Sequence, residues 1–261
     1  MAIKKILLNI LGEKNYLSLV ANAFPGLYST GLLGKEYQDI YFLKKFIRPG
    51  DYCADIGAHL GYFTLQLSRL VGPQGKVFAV EPMPPFHRTL QRLLERKHAD
   101  NVTLYQVALG GDGDYVEMGI PASGGRKHFA RARVMDAHPD LAFHTSGSVR
   151  IKNESGDRLF SDLPRLDYIK CDVEGLEHKV FASLTKTLEK HRPILLCEFF
   201  DRDLRIRFFD VLRPFGYLPF VLERGGLLPI DIDAPGQILT QNDYFIPQQH
   251  LGRMRPLIKG S

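Results

Sequence analysis

The chain has 261 residues, 44% of them hydrophobic and 24% charged, a globular composition that excludes a disordered or collagen-like chain. Its formal charge of +5 is too slight to select nucleic acid or any other polyanion as partner. Cys53, Cys171 and Cys197 form no CxxC pair, and two of them stand inside apolar runs. Buried thiols in a reducing compartment are expected, rather than disulfides or a zinc knot.

Residues 1 to about 48 read as an N-terminal helical extension. Ile3, Ile6, Leu7, Ile10 and Leu11 fall on one stripe, as do Tyr41, Phe42 and Phe46. The stripe is expected to pack on its own domain, with resting on a membrane or on a partner subunit of a homo-oligomer as the alternatives. Lys4-Lys5 before Ile6-Leu7-Leu8 imitates an export signal, but Asn9, Gly12, Glu13 and Lys14 interrupt it, so a cytoplasmic protein is expected. No apolar run approaches the roughly 18 residues of a spanning helix.

Arg48-Pro49-Gly50-Asp51 ends the extension, and short apolar strands then alternate with amphipathic helices. Strands are expected at Tyr52–Ile56, Lys76–Glu81, Val102–Ala108, Leu166–Cys171 and Ile194–Glu198. Helices are expected after Gly61 and over Pro85–Lys97, Gly175–Lys190 and Asp203–Leu212. Two late strands, Leu218–Leu222 and Asp243–Ile246, flank a Gly/Pro-rich stretch. Such alternation argues an α/β fold, a doubly wound and mostly parallel sheet over residues 49–247, with residues 248–261 as a tail. Residues 110–165 break the rhythm, with short strands at Tyr115–Gly119 and Val149–Lys152, and read as a lid-like insertion. Its Arg126, Lys127, His128, Arg131, Arg133, His138 and His144 suit either a basic lid over an acceptor pocket or a solvated loop. With Phe129 the only aromatic among the basic residues 126–133, a base-stacking surface for nucleic acid is not expected.

The stretch Asp55-Ile56-Gly57-Ala58-His59-Leu60-Gly61 follows a strand and opens a helix, where doubly wound sheets bind nucleotide-like ligands. A dinucleotide fingerprint needs glycines where His59 and Tyr62 stand. The pattern is D-x-G-x-x-x-G, led by a carboxylate that would repel a pyrophosphate. About 20 residues further on, Glu81 ends the second strand, where an acid can take the hydroxyls of a ribose. A ligand with a ribose, positive charge and no phosphate is S-adenosylmethionine.

Asp55 to Gly61, Glu81-Pro82 and Asp172-Val173-Glu174-Gly175-Leu176-Glu177 resemble the signatures of the FkbM family of methyltransferases. Ala108-Leu109-Gly110, Gly216-Tyr217 and Asn242-Asp243-Tyr244-Phe245 extend the similarity over residues 40–247. His59 departs from it, standing where the family pattern has Asn. The resemblance implies a Rossmann-like, class I methyltransferase sheet with a C-terminal antiparallel strand, transferring methyl to a hydroxyl of a small molecule or sugar and leaving S-adenosylhomocysteine. Asp55, Gly57 and Gly61 would line the methionine part of the cofactor, with Ala58 and His59 in the same loop. Glu81 would hold the ribose, Pro82 and Met83 would flank the adenine, Ala108 would face its edge, and Asp172 would stand beside the sulfonium.

The acceptor hydroxyl benefits from losing its proton, so a carboxylate or imidazole in reach at the strand ends would help. Asp172, Glu174 and His59 are the candidates, and Glu198 suits catalysis or support equally. Glu177-His178 lacks a metal-binding spacing and reads as a solvated helix face, so no metal site is expected. A nicotinamide-dependent oxidoreductase is the rival from another class, disfavoured by His59 and Tyr62. A nucleic-acid or protein methyltransferase is the rival transferase. The Asp/Asn-Pro-Pro-aromatic motif of amino-methylating DNA enzymes is replaced here by Cys171-Asp172-Val173-Glu174.

Overall fold

The computed structural model describes residues 16–23, 28, 34, 37–111, 113–123, 126–127, 133–135, 145–234 and 241–259. The stripe from Ile3 to Leu11 lies outside the described residues, as do His128, Arg131, His138 and His144. Thirteen strands follow in chain order among the described residues. They are β1 (Tyr52–Ile56), β2 (Lys76–Val80), β3 (Val102–Tyr105), β4 (Ala108–Leu109), β5 (Tyr115–Ser123), β6 (Arg126–Lys127) and β7 (Arg133–Val134). After these come β8 (Thr145–Glu154), β9 (Tyr168–Cys171), β10 (Ile194–Glu198), β11 (Tyr217–Glu223), β12 (Gly226–Pro229) and β13 (Asn242–Pro247).

The main sheet runs β12-β11-β13-β10-β9-β1-β2-β3, with β3, β2, β1, β9 and β10 parallel and the other three antiparallel. This is the doubly wound α/β sheet the alternation predicts. Its antiparallel edge is larger than expected, because Arg224-Gly225 turns the chain back into β12. Strands covered on both faces need apolar side chains on both. Ala54, Ile56, Ile169, Cys171, Leu195, Cys197 and Phe245 pack on one face with Phe181 and Phe208. Cys53, Tyr168, Ile194, Leu196, Tyr244 and Ile246 pack on the other with Phe42, Phe46 and Met254. Thus Phe42 and Phe46 of the expected second stripe do face the core, and the helix Leu251–Met254 closes over the same face.

Two expected elements differ. The third strand stops at Tyr105, and Ala108-Leu109 instead pairs in parallel with Asn153-Glu154 of β8. The expected helix over Gly175–Lys190 is two helices, Glu177–Ala182 and Thr185–His191. Distant groups make the break. Asp157 accepts from the N–H groups of Lys186 and Thr187 at 3.0 and 2.8 Å, and Gly156 N donates to Ser183 Oγ at 3.0 Å. Within the described part of the insertion a short helix spans Gly156–Phe160, β6 and β7 pair with β5, and β5 and β8 form an antiparallel ladder. Its Val116, Met118, Ile120 and Ile151 are buried against Leu90, Leu93, Phe86 and Met83. Among the described residues no helix is long and apolar enough to cross a membrane.

Candidate active site

Register places the site. Ile56 pairs with both Val80 and Cys171, so Gly57, Glu81 and Asp172 leave three neighbouring strands at one level. Gly57 has φ +78°, and its N–H donates to Val80 O at 2.9 Å. A Cβ there would lie 1.9 Å from the carbonyl oxygen of Asp172. The loop continues through His59 at φ +50°, a left-handed conformation that asparagine tolerates better than most non-glycine residues, in keeping with the Asn expected at this position. His59 N donates to Glu81 Oε2 at 2.7 Å and Met83 N to Glu81 Oε1 at 2.8 Å. Burial, only partly offset by these two N–H groups, pushes the Glu81 carboxyl up to about 7.

Along one face of the sheet the apolar positions give way to polar ones at the strand ends. Asp55 and Lys170 are register partners on β1 and β9, and Glu198 faces Asn242 across β10 and β13. Lys170 is buried, with Nζ 3.1 Å from Gly57 O, 3.3 Å from Asp172 Oδ2 and 3.8 Å from Asp55 Oδ1. Asp55 also accepts from Thr64 Oγ1 at 2.5 Å. Desolvation opposes charge on Lys170, yet Asp172 and Asp55 outweigh it and hold the ammonium above its ordinary range. Asp55, wholly buried, is raised by desolvation despite Lys170 and Thr64. For Asp172 burial raises the carboxyl, but Lys170 and a hydrogen bond from Glu198 prevail and hold it low. Glu198 takes the opposite shift, up to about 8, from its own burial and the Asp172 charge. Of the two carboxyls, Asp172 is thus the easier to ionise and Glu198 the harder.

A cavity of about 370 Å³ opens above these strand ends. Asp55, Gly57, Ala58, His59, Glu81, Pro82, Met83, Ala108, Asp172 and Glu174 all line it. Gly61 does not. With φ +82° it starts the helix Tyr62–Val71, and its Cα packs against Leu90. Sequence reasoning missed Lys170, whose signal was a lone cation inside an apolar strand, two positions before Asp172. Glu177 needs correction. It is 1% exposed, not on a solvated face, and it accepts from Val173 N at 2.9 Å and Gly175 N at 3.4 Å, tying down the loop after Asp172. Burial pushes it up to about 7. Among the described residues no group of three or more His, Cys, Asp or Glu is placed to hold a metal ion.

The residues fit S-adenosylmethionine on their own chemistry. Carboxyls from two different strands line the cavity, Glu81 after β2 with lone pairs left for hydroxyl donors and Asp172 after β9 for a cation, and Met83, Phe86 and Leu109 add apolar wall. Such a cavity, at the C-terminal edge of parallel strands ordered β3-β2-β1-β9-β10, is where a doubly wound sheet binds a nucleotide-like ligand, and it suits an S-adenosylmethionine-dependent methyltransferase. Residues 55–218 match the methyltransferase FkbM domain, and the chain belongs to that family.

Among solved structures, precorrin-6y C5,15-methyltransferase from Geobacter metallireducens GS-15 is 16% identical, with a TM-score of 0.46 over 81% of this chain and 86% of its own. An S-adenosylmethionine-dependent O-methyltransferase from Thermotoga maritima is 15% identical, with a TM-score of 0.44 over 82% of this chain and 64% of its own. This chain therefore spans a little under two thirds of that protein. Fibrillarin from Aeropyrum pernix, with natively bound S-adenosyl-L-methionine, is 12% identical, with a TM-score of 0.45 over 79% of this chain and 72% of its own. No curated protein matches the chain.

Proposed function

We propose that the protein methylates a hydroxyl group on a small molecule or sugar, in the cytoplasm. The Asp172–Glu198 carboxyl pair beside the cofactor cavity carries this reading. A hydroxyl is a poor nucleophile until its proton has somewhere to go, and paired carboxyls at a strand edge provide that. S-adenosylmethionine supplies an activated methyl group, so the chain's own task is to orient the acceptor and receive its proton. Of the three residues expected to act on the acceptor, only Asp172 belongs to this pair, held ionised by Lys170 beside Glu198. Glu174 serves on the cavity wall, and His59 acts through its N–H on Glu81. Three buried, unpaired cysteines support a reducing compartment.

The reading is tested by S-adenosylhomocysteine release with panels of sugars, polyketides and lipids bearing hydroxyls, against panels of amines. Transfer to hydroxyls is expected. Robust transfer to amines with none to hydroxyls overturns the reading.

Glu81 as the ribose ligand carries its own prediction. Hydroxyl donors favour the carboxylate, so S-adenosylhomocysteine should bind about tenfold more tightly at pH 8 than at pH 6 as the group near 7 ionises. Glu81→Gln should weaken binding about 10- to 100-fold and flatten that dependence. Calorimetric titration across the pH range measures both. An unchanged pH profile in the variant removes Glu81 from the ribose site.

A further inference from the structure

A second cavity of about 310 Å³ adjoins the first and shares four wall residues with it: Tyr62, Phe63, Lys170 and Asp172. Its remaining wall differs in kind. Tyr37, Asp39, Glu198, Gln241 and Asn242 bring an aromatic ring, two carboxyls and two carboxamides to one small volume. These groups are built in rather than incidental. Asp39 is 3% exposed and accepts from Asn242 Nδ2 at 2.8 Å and Tyr244 OH at 2.9 Å, which fixes the Asn242 side chain. Gln241 Nε2 donates to Glu198 Oε1, which fixes that carboxyl against β13. Tyr37 meets Tyr62 edge-to-face at 6.3 Å.

Resting on the O-methyltransferase reading, we propose that this second cavity is the acceptor subsite for a neutral, polyhydroxylated ring of the hexose class, and that Glu198 receives the proton of the hydroxyl being methylated. Amide and carboxyl groups fixed around an aromatic face are what such a ring requires, since it offers hydroxyl donors at its edge and C–H groups on its faces. The shared wall at Asp172 sets the acceptor next to the end of the cofactor cavity that would hold the sulfonium, and Glu81, the expected ribose ligand, lines only the first cavity. In the transfer, the acceptor O–H bond breaks with its proton passing to Glu198. The oxygen–methyl bond forms as the methyl–sulfur bond breaks with its electron pair left on sulfur. Asp172 and Lys170 set the charge that Glu198 faces, and Asp39 and the Tyr37 and Tyr62 phenols are the other titratable groups lining the same cavity. Asp172 is then a positioning residue, held ionised by Lys170 so that it orients Glu198 rather than taking the proton itself.

The test uses the full-length protein, S-adenosylmethionine and methyl glycosides of hexoses and 6-deoxyhexoses, with methylated product measured by mass spectrometry from pH 6 to 9. At least one glycoside should be methylated, with a rate rising about tenfold per pH unit below the Glu198 ionisation near 8 and level above it. Glu198→Gln keeps a donor for Asp172 and an acceptor for Gln241, so it preserves the packing. It should lower kcat about 100-fold or more, abolish the pH slope and leave S-adenosylhomocysteine affinity within about twofold. Tyr37→Ala should raise KM for the glycoside about tenfold with kcat little changed. Methylation of other hydroxyl compounds but no glycoside overturns the substrate class and leaves the O-methyltransferase reading standing. A wild-type rate and pH slope in Glu198→Gln overturns its role, again without touching that reading. Transfer to amines alone overturns both.

Discussion

Alanine at position 57 is expected to cost the fold about 2–5 kcal/mol and most of its affinity for S-adenosylmethionine, from two penalties that add. The left-handed backbone, φ +78°, strains any side-chain-bearing residue by about 1–2 kcal/mol. The new methyl group would also meet the Asp172 carbonyl oxygen at 1.9 Å, an overpacking that typically costs about 1–3 kcal/mol. Neither side can retreat cheaply. Asp172 N donates to Ile56 O at 3.0 Å, Gly57 N to Val80 O at 2.9 Å, and Lys170 Nζ to Gly57 O at 3.1 Å, so relief pulls on three strands at once. The same movement would part Asp172 from the loop that forms the cofactor cavity. Gly50→Ala is the control, because its φ is +86° but nothing lies within 4 Å of the added Cβ. It should cost about 1 kcal/mol, the backbone strain alone. Thermal unfolding and S-adenosylhomocysteine titration of both variants decide the matter. Equal stability of the two, with cofactor affinity intact, would show that the β1–β9 contact can yield.

How much of this was legible beforehand depended on whether the determinant was local. Strands β1 and β10 have the ends the sequence predicts, because a run such as Ile194-Leu195-Leu196-Cys197-Glu198 is apolar on both faces and ends in a charge. Asp55, Gly57, Glu81 and Asp172 were legible because strand-to-loop transitions at one sheet edge carry their own residue chemistry. Lys170 was not recognised, since its meaning lies in a cross-strand partnership with Asp55 that needs the register of β1 and β9. The helix break at Ser183 was illegible for a similar reason, its cap coming from Asp157. Glu177 read as solvent-facing because helix periodicity shows one element's faces and not the backbone N–H groups of Val173 and Gly175 that turn its carboxyl inward. Ala108 was placed near the cavity, though at the end of a strand that in fact stops at Tyr105.

Lys170→Met should destabilise the protein by about 3–5 kcal/mol at neutral pH, the usual result of removing one member of a buried charged group and leaving the other uncompensated. Methionine fills nearly the same volume, so packing contributes little and electrostatics dominates. The sign of the pH dependence identifies the cause. Lys170 draws Asp172 and Asp55 toward the ionised form, and in its absence Asp55, already raised by burial, rises further while Asp172 loses the charge that chiefly offsets its own burial. A group whose folded pKa is raised binds its proton more tightly when folded. Its penalty is therefore absent below the unfolded value near 4, grows as pH rises through the folded value, and then levels off. The stability gap between wild type and variant should be small near pH 4 and should widen toward pH 8. Taking the difference cancels the contribution of Glu177, whose raised value of about 7 owes nothing to Lys170, whereas Glu81 and Glu198, which Lys170 also lowers, rise further in the variant and widen the gap in the same direction. Adding Asp55→Asn and Asp172→Asn to Lys170→Met removes the stranded charges and should recover most of the stability without recovering activity. Denaturant unfolding of the three proteins at pH 4, 6 and 8 gives the comparison. A gap that stays constant across that range would mean that Lys170 supports the site by packing on Phe63, 5.4 Å from its ring centre, rather than by holding the two carboxylates charged.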